Sequence, residues 1–539
     1  MGLHSAQGEQ GKDGARMVTL YDTTLRDGTQ REGMSLSVDD KLRIAQRLDA
    51  LGVHYIEGGF PGSNPKDLEF FERARSLELE NAVITAFGAT CRKNGAAETD
   101  GGLRALLDTG CEALCIFGKA WGLHVTETLH ATLEENVRMV RDSVAFLVDA
   151  GRTVFFDAEH FFDGYAADPA YAIEVCRAAA GAGASGVVLC DTNGGTLPHV
   201  VARVVREVAE ALPGVTLGIH AHNDAACAVA NSLVAVDAGC MHVQGTANGY
   251  GERAGNADLF SIIPALVLKM DDTCISREQL MLLTEVSHFI AETANVTPNP
   301  HQPYVGASAF AHKGGVHASA AARLPEAYEH IDPSAVGNLA RVVVSELAGK
   351  ASLTMKALEL GIDLTGDQET ATRVLDGIKE LEHHGYMFEA ADATLEVLLK
   401  KELGTYEPFF LLESFRCIME KREDGKVMTE ATIKIHVGDE RFIATAEGNG
   451  PVNALDGALR RAIGRFYPAL DAIELTDFKV RVLDEKKGTG AVTRVLIESS
   501  DGEKTWGTVG VSENIIEASW EALVDSIEFG LAHPRVRTE

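Results

Sequence analysis

Two histidines one residue apart, His220 and His222 in "GIHAHND", stand where an apolar run ends. An extended chain points alternate side chains to the same side, so this spacing offers two imidazoles to a single ligand. A charged pair, Arg26 and Asp27 in "YDTTLRDGTQ", follows another apolar run, and the glycine-rich "NGYGERAGN" carries Asn256. Asp27, His220, His222 and Asn256 together supply two nitrogens and two oxygens, which suits an octahedral divalent ion with positions left for a chelating substrate. Taken singly, the motifs have plainer explanations: an Arg-Asp pair is commonly a solvated turn, and a glycine-rich loop says little. The metal reading therefore depends on whether the fold brings them together.

From Met17 onward, eight short strand-like runs alternate with amphipathic helical patterns: "MVTLYD", "HYIEGG", "AVITAFG", "ALCIFG", "TVFFDA", "GVVLCD", "TLGIHA" and "HVQGTA". In "SVDDKLRIAQRLDALG", Ser37 and Asp40 form a capping box, Leu42, Ala45 and Leu48 recur on one face, and Gly52 ends the helix. Eight strand-helix units over roughly 250 residues predict a closed (β/α)8 barrel, because an open doubly wound sheet usually has fewer strands. The three motifs then follow strands one, seven and eight, which are neighbours in a closed barrel, at the end where such barrels place their sites. The fifth run leads to Asp157, Glu159 and His160 and the sixth to Asp191 and Thr192; a carboxylate here serves as acid or base or caps the next helix, and spacing does not choose.

Composition narrows the class. Among 539 residues, 45% are hydrophobic and the formal net charge is -30, which suits a soluble protein and argues against nucleic-acid or anionic-membrane surfaces. The nine cysteines show no C-x-x-C pair, so neither a disulfide framework nor a structural zinc site is expected, and a reducing cytoplasm fits. Residues 1–16 have no signal-peptide core and read as a flexible tail, and no run reaches the roughly 20 apolar residues of a membrane helix.

The motifs "DTTLRDGTQ", "HAHND" and "GERAGN" together resemble those of the acyl-CoA-dependent Claisen-condensing synthases built on a metal-containing TIM barrel, a family that includes 2-isopropylmalate, homocitrate and citramalate synthases. Within it, "IEGGFPGSNPKDLEFF" and the C-terminal "TWGTVGVSENIIEASWEALVDSIEFG" look most like the long citramalate-forming members. The resemblance implies that Asp27, His220, His222 and Asn256 hold a divalent ion (Mg, Mn, Zn or Co), that Arg26 steadies a developing enolate or alkoxide, and that Thr192 holds the 2-oxo acid's carboxylate. It further assigns proton handling to Glu159 and to His317 of "AHKGGVHASA", and it matches Tyr328 of "PEAYEHIDP" loosely to a family tyrosine. His312, in the same segment, reads as a packing residue. The implied substrates are pyruvate and acetyl-CoA. Other acceptors, such as 2-oxoisovalerate or the homocitrate acceptor, hydroxymethylglutaryl-CoA lyase-like aldol cleavage, and a non-catalytic amino-acid sensor are the competing expectations.

Residues 17–272 thus read as the catalytic barrel, 273–407 as a helical linker region and 408–539 as an α+β regulatory domain. The last contains a β-β-β-α module that appears twice: a single offset pairs Ala454 with Ala518, Ala458 with Ala522, Leu459 with Leu523 and Ile463 with Ile527. By resemblance this domain receives an isoleucine effector, and the chain is a homodimer that exchanges the linker region between subunits, which leaves open whether His317 serves its own barrel or the partner's.

Overall fold

The strand-like runs of the first half close into a ring. The computed structural model describes residues 16–62, 64–312, 320, 324–344, 349–364, 366–421, 423–483 and 490–534. Eight parallel strands, β1 (Thr19–Asp22), β2 (Tyr55–Gly59), β3 (Val83–Ala89), β4 (Ala113–Lys119), β5 (Thr153–Glu159), β6 (Gly186–Asp191), β7 (Leu217–Ala221) and β8 (His242–Gly245), form a closed barrel in sequence order. Closure is made by β8 beside β1, where Thr19 faces His242 and Tyr21 faces Gln244.

Alternation along each strand builds two apolar layers from one chain. Leu20, Ile56, Leu114, Val154, Phe156, Val187, Leu189, Ile219 and Val243 point outward and are buried under the helices. Tyr21, Phe87, Cys115 and Phe155 point inward and, with Tyr55 and Phe117 against them, fill the barrel with aromatic rings. His242 joins them, 4.8 Å from the Phe155 ring and 5.3 Å from that of Tyr21. Burial pushes its imidazole down to about 3, so it packs as a neutral ring.

Local signals are obeyed. The helix Val38–Leu51 starts at the Ser37–Asp40 capping box, and Gly52 ends it at φ 92°, a left-handed conformation that favours glycine. Of the expected N-terminal tail, only Arg16 falls among the described residues, and there its guanidinium makes two 2.8 Å bonds to the Asp272 carboxylate. All nine cysteines are free. Among the described residues no helix is long and apolar enough to cross a membrane.

The chain divides into two compact units, one running to residue 310 and including 331–340, the other comprising 311–330 and everything from 341. In the second, helices Lys350–Glu359, Gln368–His383 and Asp392–Leu403 share a core of Leu353, Val374, Ile378, Leu395 and Leu399. Two antiparallel three-stranded sheets follow, each completed by a helix, Pro451–Ile463 and Ile515–Ala532. The four residue pairs matched by the sequence repeat are all at most 3% exposed, and they meet in one core. Each module has an apolar face it cannot bury alone, and the duplication supplies the cover.

The helix Ile515–Ala532 also buries carboxylates. Glu521 accepts from the Tyr386 hydroxyl at 3.0 Å and Glu528 from the Phe409 amide at 3.2 Å. Burial pushes Asp525 up to about 6 and Glu528 up to about 7. A carboxyl with a folded pKa above its unfolded value of about 4.3 favours folding fully below that value, and this contribution is lost as pH rises through about 7. Glu528→Gln, which mimics the protonated form, is expected to melt above the parent at pH 8 and to lose that advantage at pH 4. Equal melting temperatures at pH 8 would show that ionised Glu528 carries no burial cost.

Candidate active site

The mouth of the barrel holds a cavity of about 590 Å3 whose wall includes Arg26, Asp27, Glu159, Thr192, His220 and His222. All eight of the runs identified in the sequence lead into it, although their residues lie far apart along the chain.

Just past β1 the chain turns sharply, because Asp22 accepts from the amide of Thr24 at 2.8 Å and from its hydroxyl at 2.9 Å. That turn delivers Arg26 and Asp27 to the cavity. Arg26 donates from Nε to Glu57 at 2.5 Å, lies 3.4 Å from Asp27 through Nη1, and stacks over the Phe87 ring at 3.8 Å. The Tyr21 hydroxyl donates to the second Glu57 oxygen at 2.7 Å. Glu57 is fully buried, so Arg26 is clamped between two carboxylates and an aromatic face. Desolvation opposes the guanidinium's charge, but Glu57 and Asp27 more than offset it and raise its pKa.

Opposite Arg26, His220 and His222 emerge from the end of β7, as alternate residues of an extended chain. Their Nε2 atoms lie 3.3 Å and 3.9 Å from Asp27 Oδ2. Burial by itself raises a carboxyl's pKa, yet Arg26 and the two imidazoles hold Asp27 well below the usual carboxylate range. For His220, burial lowers the pKa and Asp27 raises it, with Asp27 winning. His222, desolvated and beside His220, is pushed down to about 4.

Asn256 arrives from the loop after β8, in an isolated bridge with His222. Glycines permit that loop: a side chain on Gly251, at φ 149°, would lie 2.2 Å from the Asn256 amide nitrogen. That nitrogen donates to the Tyr250 carbonyl at 3.1 Å, which leaves Oδ1 buried without a partner. His222 Nδ1 is likewise buried and unpartnered. Asp27, His220 and His222 each offer an atom within 4.8 Å of the others. The convergence of one carboxylate and two imidazoles, with the orphaned Asn256 Oδ1 on the segment bridged to His222, fits a divalent cation.

The two carboxylate-bearing strand ends separate on inspection. Glu159 faces the cavity, ion-paired to Lys119, its neighbour across the β4–β5 ladder. Asp157 accepts from Gln244 at 2.9 Å. Asp191 accepts from Thr196 through both the hydroxyl, at 2.8 Å, and the amide, at 3.2 Å, and so closes its own loop. Thr192 accepts from the His160 amide at 2.8 Å and faces the cavity. His160 sits at φ 56° with its ring 4.2 Å from that of His124.

His317 lies outside the described residues. Tyr328 belongs to the second compact unit, 43% exposed, with its ring 6.4 Å from His312. His312 faces Glu329 at 3.7 Å. Sequence reasoning missed Glu57, Lys119 and Gln244. The signal for Glu57 and Gln244 was present: each is a polar residue inside a run otherwise fit for burial, in "HYIEGG" and "HVQGTA".

The chain matches three family descriptions in series: HMGL-like over residues 17–288, the homocitrate synthase post-HMGL domain over 304–385, and the LeuA allosteric (dimerisation) domain over 389–531. It is 53% identical to an (R)-citramalate synthase of Geobacter sulfurreducens, over 96% of this chain and 98% of that one. It is 53% identical to the (R)-citramalate synthase of Streptomyces coelicolor, over 95% and 96% of the respective chains. A 2-isopropylmalate synthase of Pyrococcus furiosus is 31% identical over 95% and 99%. The chain belongs to this HMGL-like family of metal-dependent condensing enzymes.

The Arg26–Glu57 contact makes a stability prediction independent of turnover. Arg26→Met leaves a buried carboxylate without its cation, which costs about 3–5 kcal/mol when a buried pair loses one partner. Adding Glu57→Gln to that variant should recover much of the loss in chemical denaturation. An Arg26→Met protein within about 1 kcal/mol of the parent would show that Glu57 does not need the guanidinium.

Proposed function

We propose that this chain is an acyltransferase that condenses acetyl-CoA with pyruvate and releases (R)-citramalate and CoA, a product that feeds isoleucine synthesis. The observation that carries this reading is near-full-length identity of 53% to two (R)-citramalate synthases, against 31% to a 2-isopropylmalate synthase. The buried Asp27–His220–His222 group at the barrel mouth supports it. So does the aromatic wall of Phe87 stacked on Phe117 beside Arg26, which suits an acceptor whose side chain is a methyl group.

In this reading residues 17–272 form the catalytic domain, 273–407 the linker region and 408–539 the regulatory domain. Asp27, His220, His222 and Asn256 hold a divalent ion, Mg, Mn, Zn or Co, which supplies Lewis-acid polarisation of a 2-oxo acid. Thr192 holds the acceptor's carboxylate. Glu159, with His317 and Tyr328 assigned by family motif, handles protons: the acetyl methyl group loses a proton to a base, and its carbon bonds to the ketone carbon of pyruvate. The ketone oxygen gains negative charge next to Arg26, whose guanidinium is fixed in advance and so stabilises that charge without reorganising. Protonation of this oxygen and addition of water across the thioester then yield the hydroxy diacid and the CoA thiol.

A panel of 2-oxo acids tests the acceptor. Pyruvate should give the highest specificity constant, with 2-oxobutyrate about 10–200-fold lower, since one methylene changes apolar discrimination by about 1–3 kcal/mol. A higher value for 2-oxoisovalerate would falsify the assignment and favour 2-isopropylmalate synthesis.

The LeuA-type region motivates the second reading, that the chain works as a homodimer inhibited by isoleucine. Isoleucine should lower turnover by a coupling of about 1–3 kcal/mol, and calorimetry on the full chain should detect its binding while leucine leaves both unchanged. Inhibition by leucine alone would reassign the effector and the substrate together.

A further inference from the structure

We propose that Gln244 and Asp157 form a buried relay that fixes which nitrogen of His220 faces the metal. The proposal rests on the reading of His220 as a metal ligand. It concerns residues to which neither the motifs nor the comparisons give a role.

The relay runs across the barrel interior. Gln244 on β8 is the direct cross-strand neighbour of His220 on β7. Its Oε1 lies 2.7 Å from His220 Nδ1, and its Nε2 donates to Asp157 Oδ1, across the barrel on β5, at 2.9 Å. Gln244 is 0% exposed, Asp157 4% and His220 5%, so water does not substitute for any of these contacts.

The chemistry of each partner dictates the next. A carboxyl oxygen of Asp157 accepts, so the NH2 side of the Gln244 amide turns toward it. The amide oxygen then faces His220, and only a protonated Nδ1 satisfies that acceptor. Nε2, 3.3 Å from Asp27, is then the nitrogen left for the metal: a cation held there would displace any proton shared with Asp27 and take the lone pair. An amide neither takes nor gives up a proton at neutral pH, so it sets the tautomer without competing for the proton. Metal-bound histidines are ordinarily oriented by such a partner on the other ring nitrogen. Asp157, although it lines the cavity, is thereby engaged as a positioning residue, and it takes a further hydrogen bond from the Cys115 thiol.

Equilibrium binding of Co2+ to the metal-stripped full chain, followed by its visible absorption, tests the relay. Gln244→Met keeps the side chain's length and removes both hydrogen bonds; the expected result is a 10–100-fold weaker affinity with a changed absorption band. Asp157→Asn retains an acceptor for Gln244 and should stay within about threefold of the parent, whereas Asp157→Ala should weaken binding as Gln244→Met does. Parent-like affinity in a folded Gln244→Met chain overturns the relay. Should that variant not fold, Asp157→Ala against Asp157→Asn makes the same decision, and equal affinities overturn it. The control is His220→Ala. If the parent binds no Co2+, or His220→Ala binds it undiminished, the metal-site reading fails and takes the relay with it; if His220→Ala abolishes binding and Gln244→Met does not affect it, the relay alone is wrong.

Discussion

An ionised carboxylate, Asp27, sits 3% exposed at the mouth of a closed barrel, and the arrangement of the catalytic unit follows from that burial. Desolvating a carboxylate is costly unless charge and hydrogen bonds replace the lost water. Arg26 does so from one side, and the His220 and His222 rings close over it from the other. Each of these then needs its own partner. Arg26 is matched by Glu57, and Glu57 by the Tyr21 hydroxyl; His220 is matched by Gln244, and Gln244 by Asp157. One buried negative charge thus organises a polar layer that spans the barrel.

That layer is possible because of what lies beneath and around it. Below the network the interior is filled by Tyr21, Tyr55, Phe155 and the neutral ring of His242. Outside the strands, an apolar shell of valine, leucine and isoleucine provides the burial that holds the ring closed. Stability and chemistry are divided by the two-residue alternation of the strands: outward positions carry the first and inward positions near the C-terminal ends carry the second. Tyr21 serves both, its ring packed among aromatics and its hydroxyl anchoring Glu57.

The C-terminal unit uses another economy. Two copies of a β-β-β-α module bury their matched alanines, leucines and isoleucines in one core, so a small module that could not cover its own apolar face does so with its repeat. The second copy departs from the first where its helix carries Glu521, Asp525 and Glu528 against Tyr386, Thr394 and Phe409. Those carboxylates lie under segments that precede the repeat, so the asymmetry between the copies comes from what covers them.

Periodicity determined the barrel, the helical linker region and the duplicated module, because each depends on contacts made within a strand, a turn or a fixed repeat. The Ser37 cap, the Gly52 stop and the Ala454–Ala518 correspondence are local or strictly periodic, and the chain states them outright. The His220–His222 pair was legible for the same reason, since alternate residues of a strand share a side. Tertiary structure alone separated Asp157, Asp191 and Glu159, three carboxylates at strand ends with the same local appearance: the first bonds Gln244, the second closes its own loop through Thr196, and the third pairs with Lys119. It also paired Glu57 with Arg26. Such partnerships depend on which strands become neighbours and how far each is staggered when the sheet closes, and no window of sequence contains both halves of a contact made across the barrel.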